Sequence, residues 1–132
     1  MSDVARKVLE RYLSSLEAYD LVAALDCFTE DVFYSHPPYP HEPGGARHEV
    51  TSLAGLAALF AERGKRSSHH RLDLVLAEGN ECLAAGTVEV DGETAGTFLA
   101  RFTITGSGLI ERYAAYASFP PVGAAASHGR AS

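Results

Sequence analysis

Residues 82–104 read CLAAGTVEVDGETAGTFLARFTI, and this stretch decides the fold. Side chains alternate between faces along a strand, so Cys82, Ala84, Gly86, Val88 and Val90 share one face of an extended run. Asp91-Gly92 follows, a pair suited to the left-handed backbone angles of a tight hairpin. Thr94 to Ile104 is extended again, which predicts an antiparallel pair. Similar runs lie on either side. In Ser68 to Leu76, Leu72, Leu74 and Leu76 alternate against Arg71 and Asp73, and Leu109 to Ser118 is entered through Gly106-Ser107-Gly108. The small side chains of Ala84 and Gly86 predict unfilled volume behind the sheet, hence a cavity.

The first half of the chain has a different period. From Asp3 to Ala18, Ala5, Val8, Leu9, Tyr12, Leu13 and Leu16 recur at helical spacing, with Lys7, Glu10 and Arg11 on the other side. Asp20 is the expected cap of a second helix running through Leu21, Val22, Ala24, Leu25 and Phe28. Asp31 to His36 reads as a strand with Val32, Tyr34 and His36 on one face. Prolines and Gly44-Gly45 make residues 37–45 a loop, long enough to form a pocket rim. Thr51 or Ser52 caps a third helix whose Leu53, Leu56, Ala57 and Phe60 form a stripe ending at Gly64. The predicted class is α+β: three helices in the N-terminal half closing a pocket against a strongly curved, mainly antiparallel sheet. Residues 1–118 form the expected single domain, and the aperiodic stretch 119–132 the expected disordered tail.

Composition narrows the function classes. A length of 132 residues with 46% hydrophobic content suits one domain with a real core. The net charge of −6 argues against nucleic acid or an anionic membrane as partner. No apolar run is long enough to span a bilayer, and the charged N-terminus lacks a signal core, so the expected location is cytoplasmic. Cys27 and Cys82 fit no CxxC pattern and read as reduced, buried hydrophobes.

The chemistry concentrates in Tyr34-Ser35-His36-Pro37-Pro38-Tyr39-Pro40-His41. Neutral imidazole suits the uptake and return of a proton near pH 7, and the parity of His36 aims it at the pocket, leaving His41 on the rim. Tyr12 interrupts the apolar stripe of the first helix, either as a tied-off core phenol or as a donor aimed into the cavity. Of the adjacent His69 and His70, His70 shares parity with Leu72 and points inward. Phe98, Phe102 and Tyr113 fall where strands would line the cavity, together with Tyr34, Tyr39, Phe60, Gly86 and Ala100. The histidines include no HxxxH or HxH pair, so neither a metal nor any other cofactor is expected.

Several pieces of the chain resemble the nuclear transport factor 2-like superfamily, in its ketosteroid isomerase and SnoaL-like polyketide cyclase branch. They are Arg11-Tyr12, Tyr19-Asp20-Leu21, Phe28-Thr29-Glu30-Asp31-Val32, His36-Pro37 and the segment from Phe102 to Gly108. The resemblance implies a cone-shaped barrel. It implies a phenol at Tyr12 that donates to an enolate oxygen, and a general base at the position of His36. Ketosteroid isomerases carry a second, aspartic acid donor that would fall on Ala100, so steroid isomerisation is not expected. The Arg-x-Asp pair of limonene epoxide hydrolases is also missing, since Thr87-Val88-Glu89 and Ala115 stand nearest it. Scytalone-type dehydratases, which use pocket histidines and tyrosines, match more closely. The expectation is a small cofactor-free enzyme acting by acid/base chemistry on a hydrophobic oxygenated ring compound, as an isomerase, cyclase or lyase. His36 is its base and Tyr12 its oxyanion donor. A dehydratase built on His70 and tyrosines, or a domain that only binds a small hydrophobic ligand, are the alternatives. The resemblance further implies a homodimer through the outer sheet face, on the side of Arg101 and Thr103.

Overall fold

The computed structural model describes residues 2–39, 42 and 44–123. Helix α1 (Ser2–Glu17) buries Ala5, Leu9, Tyr12 and Leu13 on one face. It stops in a left-handed turn at Tyr19 (φ 58°), where the Asp20 amide reaches back to the Ser15 carbonyl and the Tyr19 amide to that of Leu16. Asp20 caps the short α2 (Leu21–Leu25) by accepting from the Ala23 amide at 3.1 Å. This helix ends sooner than its sequence pattern suggests, because Phe28 already belongs to a strand. Ser52, rather than Thr51, caps α3 (Leu53–Arg63), and Gly64 (φ 72°) terminates it.

The strands are β1 (Phe28–His36), β2 (His48–Val50), β3 (Ser68–Glu78), β4 (Glu81–Val90), β5 (Glu93–Ile104) and β6 (Ile110–Ser118). They form one sheet in the order β2-β1-β6-β5-β4-β3, antiparallel throughout except where β1 runs parallel to β6. The hairpin β4–β5 turns at Asp91 (φ 53°) and Gly92 (φ 81°), both left-handed as a type I′ turn requires. The sheet curves around α1 and α3. Leu9, Tyr12, Leu56 and Phe60 meet Tyr34, Ala84, Ala100 and Phe102 in a single buried cluster.

The alternation expected for Leu72, Leu74 and Leu76 fails at a β-bulge. Leu72 faces Gly86 but Leu74 faces Ala85, so Asp73 is an extra residue in β3. Beyond it the parity flips. Val75 is buried and pairs with Ala84, whereas Leu74 and Leu76 are about half exposed, at 48% and 52%. The bulge also overturns the idea that Gly86 leaves empty volume. A Cβ at Gly86 would stand 2.0 Å from the Arg71 carbonyl oxygen and 2.9 Å from Cε1 of Phe98. Glycine is there so that the backbone of β3 can press in. Ala84 is likewise buried, in register with Val75 and Ala100.

Among the described residues no helix is long and apolar enough to cross a membrane. Cys27 and Cys82 are both free thiols in the core. The tail expectation falls mainly on residues 124–132, outside the described set. Before it, Ser118 Oγ donates to the Pro120 carbonyl at 2.8 Å and the Val122 amide to Thr97 Oγ1 at 3.4 Å.

Candidate active site

A cavity of about 350 Å³ opens between the helices and the concave sheet face, at the small end of the ligand-site range. Each wall has a local reason to present what it does. Tyr12 comes from the buried face of α1, where positions 5, 9 and 12 recur at helical spacing. His36 is the last residue of β1, on the parity of the fully buried Val32 and Tyr34. His70 stands at the start of β3, before the bulge, and so still faces inward with Leu72. Phe98 and Tyr113 enter from β5 and β6, and Tyr39 from the loop after β1.

Of the residues picked from sequence, Tyr12, His36, Tyr39, His70, Phe98 and Tyr113 border the cavity together. Tyr34, Phe60, Gly86, Ala100 and Phe102 stand behind this layer, in the packed core. Ala100 in particular is fully buried in register with Ala84 and Ala115. Tyr34 still matters to the site, because its hydroxyl lies 2.7 Å from that of Tyr12. Burial pushes the phenols of Tyr12, Tyr34 and Tyr113 above their ordinary range, so all three remain neutral O–H groups. His41 lies outside the described residues.

The two cavity histidines are held in different ways. The Nδ1 of His36 lies 2.8 Å from the Pro37 carbonyl. A carbonyl only accepts, so Nδ1 carries the proton and Nε2 is left with its lone pair. Burial depresses its pKa to about 3; the bond to Pro37 opposes that shift and the Arg63 charge reinforces it. His70 is instead backed by a carboxylate. Glu17 accepts from the His70 backbone amide at 2.7 Å, and its carboxylate lies 3.2 Å from His70 Nδ1 and 2.7 Å from His69 Nδ1. Burial alone would raise the Glu17 carboxyl, but the bonds from His70 and His69 outweigh it and hold the group below the usual carboxylate range.

Arg63 and Arg66, which the sequence reading passed over, also border the cavity. Arg63 follows Leu56 and Phe60 at spacings of four and three, so it continues the buried stripe of α3. An arginine at an inward helical position just before a helix-ending glycine was a readable signal. Its guanidinium interacts electrostatically with the phenols of Tyr34, Tyr12 and Tyr39 and stands 5.2 Å from the Phe60 ring centre. Burial would push it down, but the surrounding phenol oxygens outweigh this and it stays charged. Arg66, two residues past Gly64, stands 4.9 Å from the Tyr39 ring centre. Among the described residues no three His, Cys, Asp or Glu side chains converge as a metal site would require.

Chemically, the cavity offers an apolar wall, one lone-pair nitrogen, one carboxylate-backed imidazole and a guanidinium near a hydrogen-bonded phenol pair. Comparisons with known proteins agree with the architecture. No curated protein matches the sequence significantly. Among solved structures, a candidate ketosteroid isomerase from Kribbella flavida DSM 17836 superposes with a TM-score of 0.66 at 16% identity, covering 89% of this chain and 79% of that one. A candidate polyketide cyclase from Sinorhizobium meliloti gives 0.61 at 20% identity, covering 83% and 94%. A SnoaL-like protein of unknown function from Burkholderia thailandensis E264 gives 0.68 at 16%, covering 89% and 98%. At these identities the likeness speaks for the fold alone. The SnoaL-like domain family model, however, matches residues 9–113, nearly the whole helix-and-sheet body, and the chain therefore belongs to the SnoaL-like domain family of the nuclear transport factor 2-like superfamily.

Proposed function

We propose that this chain is a cofactor-free acid/base enzyme that enolises a largely apolar, oxygenated small molecule. The observation that carries this reading is the convergence of a lone-pair imidazole nitrogen and a charged guanidinium on one apolar cavity. His36 Nε2 takes a proton from carbon beside a carbonyl. The C–H electrons move into the carbonyl, and the resulting enolate oxygen meets Arg63, supported by the Tyr12–Tyr34 hydroxyl pair. His70, oriented by Glu17, stands ready to exchange a proton at a second position. A base as weak as His36 suffices when the oxyanion it generates is comparably stabilised. Isomerisation, aldol-type cyclisation and dehydration all pass through this step. Once a substrate is found by screening, His36→Gln is expected to lower kcat by about 10²–10³-fold with the fold intact by circular dichroism. Unchanged turnover would reject His36 as the base.

A binding-only role is the second reading, favoured by one observation: the Tyr12 and Tyr34 hydroxyls are hydrogen-bonded to each other at 2.7 Å. Under it, ligands bind the wild type and His36→Gln alike and no turnover is found for any of them.

We further propose a homodimer through the convex sheet face. Leu74, Ala85, Leu99 and Tyr116 form one row across β3, β4, β5 and β6, and Leu76 and Leu83 extend it. Leu99 and Tyr116 are 55% and 53% exposed, an apolar stripe that a monomer would leave in water. Light scattering at micromolar concentration is expected to give twice the 14.1 kDa chain mass. Leu99→Asp should return it to the monomer, and a monomeric wild type would dismiss the interface.

A further inference from the structure

Two cations share the cavity wall with no counter-ion among the described residues. The guanidinium carbons of Arg63 and Arg66 stand 5.6 Å and 4.9 Å from the centre of the same ring, that of Tyr39. Among the described residues neither forms an ion pair. The only acidic residue among those described on the cavity wall, Glu17, is already engaged by His69 and His70. His36 adds no negative charge, because it is neutral and its Nδ1 is committed to Pro37. The described lining thus carries two cations against one engaged carboxylate, beside apolar wall residues that include Val88, Phe98 and Ala115.

Like charges beside a low-dielectric void repel each other, and a neutral ligand would seal them in without relief. Burial and the neighbouring Arg63 charge together push the Arg66 guanidinium down. An anion placed between them would reverse both penalties. The planar fork of a guanidinium matches a carboxylate in two parallel hydrogen bonds. The two arginines differ in depth. Arg63, on the last turn of α3, feels the buried Tyr34 and Tyr12 phenols, whereas Arg66 lies past the helix end.

We infer that the molecule this cavity accepts is an apolar organic acid, its carboxylate anchored by Arg66 at the rim and its body lying over Arg63 toward Phe98. The inference rests on the cavity being a ligand site, but not on His36 moving a proton. It narrows the substrate of the proposed enolisation to an oxo acid, with the carboxylate at the outer cation and the reacting oxygen at the inner one.

The test uses a matched pair of probes on the full chain: 2-naphthoate and its neutral isostere 2-naphthamide, titrated by calorimetry. The acid is expected to bind about tenfold tighter or better. Arg66→Gln should bring the two within about threefold by weakening the acid alone, and Arg66→Lys, which keeps the charge but loses the fork, should keep only part of the preference. His36→Gln should leave the preference intact, which separates this inference from the proton-transfer reading. Equal binding of acid and amide, no binding of the acid at millimolar concentration, or a preference untouched by Arg66→Gln would overturn it. The acid–amide comparison on the unaltered protein is decisive even if a variant folds poorly.

Discussion

Acidification from pH 6.5 to pH 3 is expected to remove roughly 3–5 kcal/mol of folding stability through His36 alone. In the unfolded chain this imidazole takes up its proton near pH 6.5, whereas the fold keeps it off until about pH 3. Across that window the unfolded state holds the extra proton, so stability rises with pH. The contribution is complete above 6.5 and is lost as the pH falls toward 3. Full burial would give the upper figure, and water reaching the ring through the cavity moves it toward the lower one. Glu17 acts in the same direction at the acid end, because its folded-state pKa is also depressed and its bonds to His69 and His70 fail on protonation. Urea denaturation at a series of pH values measures the slope. His36→Gln should flatten the curve between pH 6.5 and 4, leaving the Glu17 portion below. Parallel curves for the two proteins would show that His36 titrates as an ordinary exposed imidazole.

Gly86→Ala is expected to destabilise the protein by about 3 kcal/mol. The added methyl would lie 2.0 Å from the Arg71 carbonyl oxygen, and backbone cannot rotate away as a side chain would. Relief requires β3 and β4 to part at the bulge, within a pairing that runs from Ser68–Val90 to Glu78–Glu81. Gly106→Ala is the control, because nothing lies within 4 Å of a Cβ there. It should shift stability by no more than about 0.5 kcal/mol. Equal denaturation midpoints for the two variants would mean that β3 does not press on Gly86 in solution.

These two residues also mark where reading the sequence succeeds and where it stops. His36 was legible because strict alternation from Val32 carries it to the cavity face, and nothing in β1 after Val32 breaks the period. The Asp91-Gly92 turn was legible because its chemistry is local. Gly86 was misread: a missing side chain looks the same whether the space is empty or filled by a neighbouring backbone. The bulge at Asp73 was hidden because Leu72-Asp73-Leu74 alternates perfectly as text, and only the competing claim of Val75 on the core reveals the slip. Strand β2 has three residues, too few to show any period, and exists because β1 offers it an edge. Arg63 was legible in principle, as the inward continuation of Leu56 and Phe60, but a charged residue at a helix end is easily assigned to water.

The bulge in β3 lets one strand serve two surfaces that would otherwise compete for it. Before Asp73 the strand gives His70 and Leu72 to the interior; after it, the leucines pass to the outside and Val75 takes over the core. If Asp73 were instead taken into the ladder as an ordinary paired residue, the composition would be unchanged, yet every side chain from Leu74 onward would exchange faces. Leu74 and Leu76 would crowd the interior, Val75 and Ala77 would turn to water, and the outer apolar row would lose its first member. The irregularity itself, rather than any residue type, therefore assigns the two faces. Deleting Asp73 would leave Leu74 outside and Val75 inside in a regular ladder, whereas pairing it would rewrite the inside and the outside of the molecule at once.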